Sequence, residues 1–246
     1  MRKTDIISCM ENWIEYARTQ LGITLSDDQQ RMFVTYESEL QEWSEKINLT
    51  SIRDSEGIRI KHFLDSLTCA QMLGDMNGKS LVDIGTGAGF PGIPLKIIFP
   101  AMRLVLVDST GKKVDFCRRI TTILGLKNCT SIQARAEEMG LSKEHREKYD
   151  AATARAVAVL PILCEYLLPL VKVGGIMLVQ KGESAPDELI KAKHAIYKLG
   201  GKSQEMIPVI LPTLEDRRYL IPIRKVFPTP PGYPRRTGLP AQKPIL

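Results

Sequence analysis

The run Leu81-Val82-Asp83-Ile84, followed by Gly85, Gly87, Gly89 and Gly92, limits the possible folds of this 246-residue chain more than any other stretch. Leu81 to Ile84 is a short apolar segment containing β-branched residues, which reads as a buried strand. It halts at four glycines within eight positions. Glycine serves where φ must be positive or where a ligand lies against bare backbone, so this strand presents its carboxyl end to a small molecule. From Gly92 to Phe99 the apolar residues return at helical spacing, with the prolines confined to the first turn, where a missing N–H costs nothing. Strand, glycine loop and helix together open a nucleotide-type site.

Gly87-x-Gly89-x-x-Gly92 also satisfies the dinucleotide fingerprint, with Asp108 about 20 residues further on. The charge of Asp83 separates the candidates. It would repel a pyrophosphate and attract a sulfonium cofactor that carries an ammonium group. Asp83-x-Gly85-x-Gly87-x-Gly89 resembles the first motif of the class I S-adenosyl-L-methionine (SAM) methyltransferases, in which the loop passes under the methionine moiety. The bland alternative is an ordinary turn with a capping aspartate.

With 43% hydrophobic residues the chain can bury one full core plus an appendage. Cys9, Cys69, Cys117, Cys129 and Cys164 are odd in number and form no Cys-x-x-Cys pair, which reads as free thiols in a reducing cytoplasm. Asp5 and Glu11 interrupt the start before a signal-peptide core can form. Ala156 to Val179, the most apolar region, is cut by Glu165, Lys172 and a glycine pair, so no membrane span of about 20 residues exists there. Charge is uneven: residues 201–246 hold 8 bases against 3 acids, and from Arg217 onward there are seven bases and no acid. That asymmetry suggests a polyanionic partner, the alternative being a tail kept soluble by charge.

Residues 1–75 read as a helical extension on the core. Ile6, Met10, Trp13, Ile14 and Ala17 recur at helical spacing. Ser26-Asp27-Asp28-Gln29 looks like a helix cap before Met32, Phe33, Tyr36, Leu40 and Trp43. A further helix over Ile58–Leu73 carries Lys61, His62 and Asp65, and a lone histidine of this kind is assigned no catalytic role. From about 76 to 226 strand and helix alternate, predicting a doubly wound, mostly parallel α/β sheet. Arg103–Val107 is the second strand, with Asp108, Ser109 and Thr110 at its end, where a carboxylate can accept both ribose hydroxyls. Cys129–Ala134 is the third, and Ala136 and Glu137 follow it at the place of an adenine ring. Tyr149–Ala154 and Gly175–Gln180 are the fourth and fifth, ending at Arg155 and Lys181. Glu205–Leu211 and Tyr219–Val226 form a closing pair placed towards the edge by Pro208 and Pro222. Residues 227–246 read as an extended, basic, proline-rich tail.

Asn48-Leu49-Thr50, His62-Phe63-Leu64-Asp65-Ser66-Leu67, the glycine motif through Pro91-Gly92, Asp108-Ser109, Arg155-Ala156 and Tyr233-Pro234-Arg235 occur in that order over nearly the whole chain. In that set the chain resembles the bacterial RsmG (GidB) family, class I (Rossmann-like) SAM-dependent enzymes that methylate N7 of one guanine, position 527, in 16S ribosomal RNA. The resemblance implies SAM as cofactor and 16S RNA or the small ribosomal subunit as partner, with no metal. Asp83 and Gly87 would belong to the cofactor site, with Gly85 and Phe90 lining the methionine side, Asp108, Ser109 and Thr110 the ribose, Ala136 and Glu137 the adenine, and Arg155 the rim. Phe90 and Ala88 stand where other members carry different residues.

Guanine N7 has a free lone pair and needs no general base. The fourth strand is followed by Ala154-Arg155-Ala156, where an exocyclic-amine methyltransferase would resemble Asp/Asn-Pro-Pro-Tyr; Cys164 follows Leu163, so there is no Pro-Cys pair of the cytosine C5 enzymes. Arg155 is the candidate for positioning the guanine, and Lys181, Arg217, Arg218, Arg224, Arg235 and Arg236 are the expected RNA contacts; for Arg155 and Lys181, which would meet phosphate or guanine O6, the alternative is a purely structural ion pair. A cytoplasmic monomer is expected. The alternatives are a SAM-dependent enzyme acting on another RNA, a non-catalytic RNA-binding module, and, more remotely, an NAD-dependent oxidoreductase.

Overall fold

The computed structural model describes residues 13–214 and 217–246; Ile6, Cys9 and Met10, placed above in the first helix and among the free thiols, lie outside them. Five strands pair in parallel: β1 (Ser80–Ile84), β2 (Arg103–Asp108), β3 (Cys129–Gln133), β4 (Tyr149–Arg155) and β5 (Val171–Lys181). β8 (Arg218–Lys225) runs antiparallel to β5, and β6 (Gly201–Ser203) and β7 (Ile207–Val209) both pair with its outer side. The order is β3-β2-β1-β4-β5-β8-β6. The chain winds outward from β1 through β2 to β3, then returns to β4 on the other side. The strand ends on either side of that reversal leave a crevice.

Both faces of the sheet are covered, so β1 is buried at every position. On one face lie helices α1 (residues 13–20), α2 (Asp27–Lys46), α4 (Gly92–Ile98) and α5 (Gly111–Ile123), together with a helical run over 55–73, here α3. They share one cluster in which Phe33, Tyr36, Phe63, Leu67, Ile93 and Phe116 pack with Leu81 and Leu104 of the sheet. On the other face α6 (Ala136–Leu141), α7 (Leu160–Leu167) and α8 (Ala185–Lys198) pack Met139, Leu163 and Ile196 against Val82, Ile84, Ala152 and Met177. The cap of α2 is reciprocal: Gln29 N donates to Ser26 Oγ and the Ser26 N–H to Gln29 Oε1. Midway along α3, Arg59–Leu64 widens to a π-helix, and there the Lys61 carbonyl accepts from Arg155 at 3.0 Å.

Two expectations change. Pro222 lies in β8, which is flanked on both sides, so it is interior and not at the edge. Its carbonyl accepts from Gln204 N, and a strand residue's N and O point the same way, so the missing N–H faces the gap between β6 and β7. The tail, read as extended, is folded back across α6 and α7 and ends with a short helix, α9 (Leu239–Gln242). Glu147 Oε1 accepts from Thr229 N, Arg146 donates to the Thr229 and Tyr233 carbonyls, and Pro234, Pro240 and Ile245 are buried.

Candidate active site

β1 ends on a loop in which Gly85 has φ 66°, a conformation that suits glycine. A Cβ there would also stand 2.4 Å from Val157 Cγ2. Gly92 is needed for a different reason, since a Cβ would lie 2.9 Å from Asp83 Oδ2, which accepts from the Gly92 N–H at 2.9 Å and from Thr86 Oγ1 at 2.8 Å. Asp83 is wholly buried, and its Oδ1 has no partner among the described residues. Burial raises its pKa to about 7, against the lowering effect of the two hydrogen bonds. A buried carboxylate oxygen without a partner beneath a glycine loop suits a ligand bearing a cation.

Asp108 ties the end of β2 to the loop, accepting from Gly87 N at 3.0 Å and Thr110 N at 2.9 Å. Thr110 is the N-cap of α5 and, like Ser109, exposed. Gly85, Asp108, Ser109, Ala136 and Glu137 gather round one small cavity, with Val157 and Tyr166. Gly85, Gly87, Phe90 and Arg155 line a second, of about 340 Å³, with Thr50 and His62. Thr110 lines neither; its N–H orients Asp108.

The second cavity is built on stacked rings. Phe90 lies between Tyr36, at 5.3 Å and 20°, and His62, at 4.6 Å and 18°, with the Arg155 guanidinium 5.1 Å from its centroid. Both imidazole nitrogens are engaged: Nε2 lies 2.8 Å from Thr50 Oγ1, and Nδ1 lies 3.2 Å from the Lys61 carbonyl. Burial, with Arg155 beside it, lowers the His62 pKa to about 3. Arg155 is fixed in turn by Asp65 Oδ2 at 2.7 Å. Arg218 Nη1 lies 3.4 Å from the other oxygen of Asp65, a side chain only 2% exposed.

A family model described as rRNA small subunit methyltransferase G matches residues 29–215. The chain belongs to the rRNA small subunit methyltransferase G (GidB) family. It is 49% identical over 224 residues to the ribosomal RNA small subunit methyltransferase G of Roseiflexus sp. (strain RS-1), covering 91% of this chain and 95% of that protein. It is 46% identical to the protein of that name from Pelotomaculum thermopropionicum, covering 97% of this chain and 100% of that one. Among solved structures, a SAM-bound mutant of the 16S rRNA (adenine(1408)-N(1))-methyltransferase from Catenulisporales acidiphilia shares the class I fold. Its TM-score is 0.51 at 15% identity, over 63% of this chain and 88% of that one. The oxidoreductase alternative is left without support.

In this member of the rRNA small subunit methyltransferase G family, several expected RNA contacts are placed differently. Arg235 is held by Glu165, a side chain 1% exposed, through both carboxylate oxygens, and also donates to the Lys243 carbonyl. Lys181 pairs with Glu188 at 2.8 Å. Arg224 is opposite Ile176, at the end of β8 far from the glycine loop, and donates to the Gly174 carbonyl. Arg218, at the other end of β8, is on the site's rim, and Arg217 and Arg236 are exposed. Glu137 directs Oε1 to the Gly238 N–H of the tail at 2.8 Å, so its backbone is the part left for a ligand. Sequence reasoning missed Tyr36, Thr50 and Val157. Thr50 stood within a motif but without a role, and nothing local marks Val157.

Among the described residues no group of three or more His, Cys, Asp and Glu could hold a metal, and no helix is long and apolar enough to cross a membrane.

Proposed function

We propose that this chain uses SAM to methylate N7 of a guanine in 16S ribosomal RNA, acting as a cytoplasmic monomer. The family and its relatives support methylation of small-subunit RNA; the observation that favours N7 is the state of His62. An imidazole with a pKa near 3 and both nitrogens engaged cannot collect a proton at neutral pH; the other ionisable groups on that cavity are Lys61, Lys113, Arg155 and Arg218, and the two carboxylates of the adjoining cavity, Asp65 and Glu188, are paired with Arg155 and Lys181. N7 offers an in-plane lone pair and has no proton to lose. Bound SAM supplies a methyl group activated by its sulfonium.

The chain's own part is placement. Asp83 Oδ1 would receive the cofactor's ammonium, and Asp108, already oriented by two N–H donors, would accept from the ribose hydroxyls. The backbone of Ala136 and Glu137 would read the adenine edge. Phe90, clamped by Tyr36 and His62, would wall the methionine side, and Arg155, fixed by Asp65, would orient the guanine.

Single-turnover methylation at saturating enzyme is therefore expected to vary little between about pH 6.5 and 8.5. The product should show as a strand break after reduction and aniline treatment, since a fixed positive charge on the ring makes the base labile. A rate that climbs tenfold per pH unit with a midpoint near ~6.5, and is lost in His62→Gln, would sink the N7 assignment.

A further inference from the structure

A third cavity, of about 280 Å³, adjoins the one lined by His62 and Phe90 and shares Arg155, Ala156 and Arg218 with it. Along the rim of the sheet the three follow one another: the small cavity at β1 and β2, the next at β1 and β4, the third at β4, β5 and β8. If the first two take the adenosine and methionine parts of a cofactor, the third lies beyond the methyl group.

Two residues on its wall each carry a buried polar atom with no partner among the described residues. Gln180 is 8% exposed; its Nε2 donates to the Asp65 carbonyl at 2.7 Å, which identifies the other atom as Oε1, and Oε1 is unpaired. Arg218 directs Nη1 to Asp65, and its Nε is unpaired. The register sets the two residues on one face of adjacent strands: Gln180 is opposite Leu220, two residues from Arg218, and beside Arg155 on β4. One unpartnered acceptor and one unpartnered donor thus belong to neighbouring residues of that wall, just beneath its surface. Leaving both unsatisfied is costly, and a ligand offering the complement removes the cost.

We infer that this cavity receives the target base, with Gln180 Oε1 accepting from guanine N1–H and Arg218 Nε–H donating to O6. Guanine presents that pair on its Watson–Crick edge, and adenine presents the reverse, a donor at N6 and an acceptor at N1. The order of atoms agrees with the order of cavities. O6 lies between N7 and N1, and Arg218 lines both cavities whereas Gln180 lines only the further one. N7 therefore faces the methyl group when N1 faces Gln180.

The inference rests on the N7 reading, and the test separates them. Small subunits are reconstituted with 16S RNA carrying guanine or 2-aminopurine at the methylated position, and single-turnover rates are measured with the wild type, Gln180→Met and Arg218→Met. 2-Aminopurine keeps N7 but lacks O6 and the hydrogen on N1. The wild type should prefer guanine by roughly a hundredfold or more. Each variant should lower the guanine rate about tenfold to a hundredfold and leave the 2-aminopurine rate alone, so the preference shrinks. Intrinsic differences between the bases cancel in that comparison. SAM affinity, measured by calorimetry, should stay within about threefold, which identifies correctly folded variants. Equal slowing of both substrates, or an intact preference in both variants, overturns the role of this wall. A wild type that leaves guanine unmethylated, or modified at another atom, overturns the N7 reading itself.

Discussion

With Asp83 as the proposed partner of the cofactor's ammonium, its buried carboxyl is expected to make cofactor affinity a function of pH. Its pKa is raised to about 7 by burial, so near neutrality the folded chain without ligand holds it partly protonated. An ammonium placed at Oδ1 favours the ionised form, and binding must then expel the proton. At pH 5.5 a carboxyl with this pKa is about 3% ionised and at pH 7 about half, so SAM affinity should rise roughly 15-fold between them, about 1.6 kcal/mol. The ligand's own α-amino group stays charged over that range, since such groups titrate near 8. His62, with a pKa of about 3, contributes nothing in the same window. Calorimetry at pH 5.5 in buffers of different ionisation enthalpy should detect nearly one proton released per SAM bound, falling to about half at pH 7. Asp83→Asn should give a flat profile near the wild type's acid-limb affinity. Between about pH 4 and 7 the folded chain also binds a proton that the unfolded chain does not, so Asp83's contribution to apo stability declines as pH rises through that window. A wild-type affinity independent of pH, or an unchanged slope in Asp83→Asn, would refute this account of the carboxylate.

Gly85→Val should abolish SAM binding in calorimetry while the far-ultraviolet circular dichroism stays native. The new Cβ meets Val157 at 2.4 Å at a residue with φ 66°, and normal affinity would remove this loop from the site. Arg235→Ala should lower unfolding free energy by about 3 kcal/mol in urea titration, because the buried Glu165 loses its guanidinium and keeps only the backbone N–H of residue 235; a loss below about 1 kcal/mol would mean that the pair is solvated.

What the sequence made legible was local. Leu81–Ile84 and the glycines after it announce a strand and a loop within a dozen residues, and Ser26 with Gln29 announces a helix start, because in both the partners are near in the chain. The errors concern partners that are distant. Proline and charge made residues 227–246 look extended, yet Arg235 closes on Glu165, 70 positions earlier, and Gly238 on Glu137, 101 positions earlier. Arg218 and Arg224 sit on the same strand and differ in sequence only by position. The antiparallel direction of β8 sends one to the site and the other to the opposite end of the sheet. Gln180 ended a predicted strand without a role because its meaning depends on Asp65, a residue of the helical extension.

The return of the tail bears on how the protein is made. Glu165 and Glu137 leave the ribosome well before the residues that satisfy them, and domains made vectorially begin to fold as they emerge. While synthesis continues, one carboxylate lacks its guanidinium and the helix beside Ala136 lacks its brace. A nascent chain that has completed its sheet is thus still without the brace on one wall of the small cavity, which the arrival of residues 229–238 supplies. One side of that cavity is therefore braced by residues made after every strand of the sheet.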